Sequence, residues 1–212
     1  EMGAQNVKIQ HNFIDFNTIN IDVKRVAEIK TALGIQPDDF VWVISGGATY
    51  MKGLDYIIPI LESFKDKPVK ILWLGKLLND GLEFYVRTVA DKKYPQKLFF
   101  TGALSSDYYN YMAVANGCLL LSREESFSLV LLEAAFIGLP VVAFDVGIAK
   151  DFIKEGMGHV AKSRDLDEII RLMEEVHQIH TGINKDILRQ EAIQYDVTKQ
   201  LANYGKLLDD IF

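Results

Sequence analysis

From Phe40 onward, short and nearly continuous apolar runs alternate with longer amphipathic stretches, the pattern of repeated βαβ units. The runs Phe40–Ser45, Val69–Leu74, Leu98–Phe100, Gly117–Leu121, Pro140–Phe144 and Gly158–Ala161 are too short for helices and predict strands. Between them the pattern predicts helices at Leu54–Phe64, Gly81–Tyr94, Ser106–Val114, Leu129–Ile137 and Ala149–Glu155, then a helical tail from Asp165. Ser105 or Ser106 is placed to cap one helix, and Gly138 followed by Pro140 closes another. The residues before Phe40 read as an irregular opening. Parallel strands joined by right-handed helical crossovers give an α/β fold, a Rossmann-like doubly wound sheet of about six strands with helices on both faces.

Sheets of this kind bind ligands outside the carboxyl ends of their strands, where strand order reverses. Five loops are expected on that edge: Gly46–Gly53, Gly75–Asp80, Thr101–Ser105, Ser122–Ser128 and Asp145–Lys150.

Composition narrows the ligand. The chain has 212 residues, 49% apolar and 25% charged, which suits one globular core. A net charge of −6 argues against general affinity for nucleic acid, and Lys65, Lys67, Lys70, Lys92 and Lys93 read as solvated surface. The lone Cys118 lies in an apolar run and predicts a core thiol in a reducing compartment. No apolar stretch reaches the roughly 18 residues of a membrane span, and the opening has no signal-peptide pattern. The expected location is cytoplasmic, with peripheral membrane contact left open. Met2 behind Glu1 reads as the mark of a chain cut from something longer.

The chemistry concentrates between Ser122 and Pro140. Its helix is apolar on every side yet carries Glu133 in the second turn, where a buried carboxylate is costly without partners. Two readings stand: satisfaction by neighbouring groups of the protein, or acceptance of hydrogen bonds from ligand hydroxyls. Glu125 lies in the loop that opens this helix, and the amides from Ser126 to Leu129 form an anion seat at its start.

Glu125-Ser126-Phe127 with Glu133-Ala134 and Gly138-Leu139-Pro140-Val141-Val142 resembles the E-x7-E block of the family-four retaining glycosyltransferases of GT-B architecture. The resemblance implies that Glu125 contacts the transferred sugar, that backbone from Phe127 to Leu129 holds diphosphate or sugar, and that Glu133 holds the ribose. Ser128 stands where that family has glycine. The loop Ser45–Gly53 is similar to the family's Gly-Arg-x-x-x-x-Lys-Gly loop, whose two cations neutralise the leaving diphosphate; Lys52 and Gly53 match, and the Arg position falls on Gly47. Read alone, that loop is a glycine-rich turn with a lysine, neither a Walker A loop nor a dinucleotide fingerprint. His11-Asn12-Phe13-Ile14-Asp15 resembles the stretch that links the two halves of such enzymes. The implied division is a linker remnant over 1–20, a nucleotide-sugar-binding domain over 21–196, and a helix over 197–212 that crosses to an N-terminal acceptor domain.

The implied donor is a nucleoside-diphosphate sugar, its base near Gly75 and the Gly102-Ala103-Leu104 loop, its phosphates on Gly46, Gly47, Lys52 and the seat at Ser126, Phe127, Ser128 and Leu129. No metal is expected, because Lys52 and a helix start bear the charge. Glu125 and Lys52 are the expected catalytic residues, Glu125 positioning the sugar rather than attacking it. Without an acceptor half the fragment is expected to bind nucleotide weakly and transfer nothing. Rival readings are a non-catalytic module of the same fold and a phosphosugar epimerase.

Three further features carry no role here. Asp165-Leu166-Asp167 reads as a helix cap, His177 and His180 as a surface pair, and Gly147–Lys150 lacks the glutamate of the corresponding family segment. The tail residues Tyr195, Leu201, Tyr204, Leu207, Leu208 and Ile211 predict an apolar patch able to drive dimerisation.

Overall fold

The computed structural model of the chain describes residues 10–209. Six strands, β1 (Phe40–Ser45), β2 (Val69–Leu74), β3 (Leu98–Phe100), β4 (Gly117–Leu120), β5 (Val141–Phe144) and β6 (Gly158–Ala161), form one parallel sheet in the order β3-β2-β1-β4-β5-β6. In β1, β2, β4 and β5 the strand side chains are almost all buried, because helices flank the sheet. Register runs from Phe40 opposite Val69 to Ser45 opposite Leu74, and Trp42 faces Gly117 on the other side. Trp42, Trp73, Phe40 and Phe144 are its largest fully buried strand side chains. Each large apolar side chain removed from water contributes roughly 1.5–3 kcal/mol.

The crossovers are α2 to α6: α2 (Ile57–Ser63), α3 (Gly81–Lys93), α4 (Tyr108–Met112), α5 (Leu129–Ile137) and α6 (Ala149–Phe152). The predicted helix from Leu54 starts instead as a tight 3-10 turn over Leu54–Tyr56, and the one from Ala149 stops at Phe152 rather than Glu155. Neither Ser105 nor Ser106 caps α4; its first flanking residue is Asp107, whose carboxylate is held by Arg25 at 2.8 Å. Cys118 is buried in β4, and burial pushes its thiol up to about 12.

The opening is more ordered than its sequence suggested. α1 (Val23–Ala32) is capped by the Asp22 carboxylate, which accepts from the amides of Lys24 and Arg25. Lys70 is a second correction: it is buried, pairs with Asp39 at 2.9 Å and donates to the Gly34 carbonyl. Its long stem runs along the sheet end while the ammonium finds a partner across the β1 entry.

After the sheet come α7 (Leu166–Ile179), α8 (Lys185–Ile193) and α9 (Val197–Asp209). Asp165 caps α7 through the Asp167 amide, and His177 and His180 sit half-buried, edge-on to Phe40. The segment ahead of α1 is pinned to the link between α8 and α9: Ile14 donates to the Tyr195 carbonyl and accepts from the Val197 amide. Tyr195 packs on Phe127 and Phe152, whereas Leu201, Tyr204 and Leu208 on α9 are exposed. Ile211 lies outside the described residues. No helix among the described residues is long and apolar enough to cross a membrane.

Candidate functional site

Strand order reverses at β1, between β2 and β4, and in doubly wound sheets the ligand crevice opens at the carboxyl edge of that point. The loop after β1 and the loop after β4 form its walls. Arg123 joins them: its amide donates to the Met51 carbonyl at 2.8 Å and its guanidinium grips both Asp55 oxygens at 2.9 and 2.8 Å. The same guanidinium lies 3.6 Å above the Tyr50 ring, a stacking that fixes the wall further. Sequence reasoning gave Arg123 no part; its partner stands 68 residues away and leaves no local signal.

Across this crevice the Lys52 ammonium meets the Glu125 carboxylate. Ser122 adds a 2.6 Å bond to the same oxygen, and the Glu125 side chain is only 13% exposed. The Lys52 stem passes over Gly46, whose lack of a side chain leaves that path open. Lys52, Gly46 and Glu125 are thus brought together from two different strand ends.

Eight residues on, Glu133 has different company. Tyr108 donates to one of its oxygens at 2.9 Å and Tyr109 to the other at 3.2 Å, while Ser45 shares a 2.8 Å bond with the Tyr108 hydroxyl. Burial raises the Glu133 carboxyl, and the two hydroxyls oppose that shift. Burial beside this carboxylate also raises both phenols, Tyr109 to about 12. The first reading of Glu133 is therefore met within the protein by neutral hydroxyls.

Between the two glutamates the chain enters α5 through Ser128, at φ +78° and ψ +78°. A side chain in this left-handed region is strained, and the Ser128 hydroxyl is buried without a hydrogen-bond partner. The amides of Ser126, Phe127 and Ser128 donate to no group among the described residues, so the α5 start keeps its donors open. Ser126 and Leu129 are exposed, and Phe127 is buried against Tyr195.

On the β2 side lies a shallow hollow of about 220 Å³ bounded by Ser45, Gly46, Gly47, Gly75, Lys76, Ala103, Leu104 and Tyr108. Its floor is main chain. Gly75, at φ +153°, is wedged so closely that a Cβ would run into the Gly46 carbonyl, to which the Trp73 indole also donates at 2.9 Å. Gly102 adjoins the hollow, its carbonyl accepting from the Gly75 amide at 3.1 Å, and a Cβ on it would meet open space. Lys76, Tyr108 and Tyr109 line or organise the site without having been singled out. Only the burial demand of Glu133 hinted that hydroxyl partners were needed. Among the described residues no group of three His, Cys, Asp or Glu side chains is arranged to hold a metal ion.

Strand order, reversal point and crevice define a doubly wound, Rossmann-like α/β domain with its ligand edge at the β1 and β4 ends. Residues 26–195 match the family model described as Glycosyl transferases group 1, and the chain belongs to that family. It is 27% identical, over 77% of its length and 43% of the relative's, to alpha-galactosylglucosyldiacylglycerol synthase of Streptococcus pneumoniae. It is 25% identical, over 100% of its length and 56% of the relative's, to N-acetyl-alpha-D-glucosaminyl L-malate synthase of Bacillus anthracis. The chain thus spans about half the length of these curated relatives. Among solved structures, Anabaena HepE in complex with UDP superposes with a TM-score of 0.81 at 20% identity, over 96% of this chain and 57% of that one.

Proposed function

We propose that this chain is the donor-binding half of a retaining, GT-B glycosyltransferase of family four, which takes a sugar from a nucleoside diphosphate and passes it to an acceptor held by a second, N-terminal domain. The observation that carries the reading is the meeting of Lys52 and Glu125 across the strand-order reversal, beside the open amides of the α5 start. A diphosphate there receives Lys52 and the Phe127 to Leu129 amides, without need of a metal. Glu125, released from Lys52, turns to the sugar hydroxyls, while Glu133 exchanges tyrosine hydroxyls for those of the ribose. The base occupies the hollow between Gly75 and Leu104. During transfer the bond from anomeric carbon to phosphate oxygen breaks, the acceptor oxygen bonds on the same face, and its proton passes to the departing phosphate.

The family membership, the UDP-bound state named for Anabaena HepE and the names of both relatives, synthases of sugar-bearing products, support this reading. The polysaccharide or glycoconjugate product, and work at the cytoplasmic side of a membrane, belong to the same proposal. Calorimetric titration of the chain with UDP, GDP and their glucose and mannose derivatives tests it. One-to-one binding of a nucleotide and its sugar derivative is expected, with no sugar transfer by the chain alone. Silence toward all of them at millimolar concentration would sink the donor-site reading.

A second reading, a binding module that has lost the chemistry, is favoured by Gly47, which offers no cation, and by the prior occupation of Glu133. Nucleotide-sugar binding without turnover by the whole protein would single it out.

A further inference from the structure

A diphosphate brings several negative charges to the crevice, and Lys52, the cation expected to receive them, already faces Glu125. Lys52 and Lys76 are the two basic side chains on the loops that follow β1, β2 and β3. Arg123, beyond β4, is committed to Asp55. Lys76 has no carboxylate within 4.0 Å among the described residues. The acids that follow it along the chain are engaged elsewhere: Asp80 caps α3 through the Glu83 amide, and Glu83 holds Arg87 and the Asn79 amide.

The root of Lys76 is rigid while its side chain is exposed. Its carbonyl accepts from Ala48 at 2.9 Å, and the preceding Gly75 is wedged on Gly46. The side chain borders the hollow beside Gly46 and Gly47. Over Gly47 the space is open: a Cβ there would make only ordinary contacts, 3.7 Å to Thr49 Cγ2 and 3.9 Å to the Lys76 carbonyl. A flexible ammonium on a fixed root, next to a gap at the loop that begins the crevice, suits a point-charge phosphate contact.

We propose that Lys76 is a second phosphate-binding cation of the donor site, reaching the diphosphate across Gly47 from the β2 side. The inference rests on the donor-site reading above, and the test separates the two. The chain and its Lys76→Ala and Lys76→Arg variants are titrated with UDP and with uridine, or with GDP and guanosine where those are the binders. Lys76→Ala is expected to weaken the diphosphate about tenfold, leave the nucleoside within about twofold, and lower the salt dependence of diphosphate binding; Lys76→Arg keeps most of the affinity. Unchanged diphosphate affinity in Lys76→Ala, or an equal loss for the nucleoside, overturns the role of Lys76 and leaves the donor site standing. Failure of the unaltered chain to bind any of these nucleotides overturns both.

Discussion

Glu125 and Glu133 stand eight residues apart around one helix start, yet the protein satisfies them by opposite means. Glu125 is held by a cation from another strand end, with Ser122 in support. Glu133 is held by two neutral phenols and retains a raised pKa because of its burial. An ion pair can be opened by a stronger anion, so the Glu125 end responds to charge. A carboxylate among hydroxyls exchanges one hydroxyl for another, so the Glu133 end responds to shape and hydrogen-bond count. One helix start thus places an ion-paired carboxylate and a phenol-bound carboxylate side by side.

The largest expected effect breaks the charged end. Lys52→Ala should weaken UDP by about 10- to 100-fold while leaving uridine nearly unchanged, whereas Glu125→Gln, which frees Lys52, should strengthen UDP a fewfold. Calorimetry with both ligands checks the pair, and effects of the same sign would erase the contrast.

At the other end, Glu133→Gln should weaken UDP and uridine alike, by about three- to tenfold. Stability sharpens the same point. A carboxyl with a raised folded-state pKa favours folding below its unfolded value, and the advantage fades as pH climbs through the folded value. Glu133→Gln should therefore gain thermal stability relative to the unaltered chain as pH rises from about 4.5, the ordinary value of this group, to neutrality. A melting-temperature difference that stays flat over this range would contradict the burial argument.

The smallest effect lies between the two. Ser128→Gly removes a side chain from a left-handed conformation and a buried hydroxyl without a partner, for a gain of about 1 kcal/mol, or about 2–4 °C in melting temperature. A loss would mean that Ser128 holds the helix start in a way its geometry does not reveal.

β1, β2, β4 and β5 were legible because burial on both faces leaves continuous apolar runs, and four of the six strands were bounded to the residue. α1 escaped because only Ile29 of its ten residues is buried, although Asp22 with Val26 and Ile29 offered a cap and a partial stripe. Lys70 and Glu133 were misjudged or left open for a shared reason: Asp39, Tyr108 and Tyr109 lie at least 24 residues away, and the fold alone makes them neighbours. The left-handed turn at Ser128 was announced by the glycine that the resembled family has there. Arg123 carried no such announcement.

Where Gly46 and Gly75 touch, even a methyl group has no room, so the floor of the hollow is cast from main chain and is indifferent to drift in residue type nearby. Variation in what this edge accepts has to be written into its rim, at Gly47, Lys76, Ala103 and Leu104. A library built to change the ligand proposed for this edge would randomise those four codons and keep the two glycines fixed.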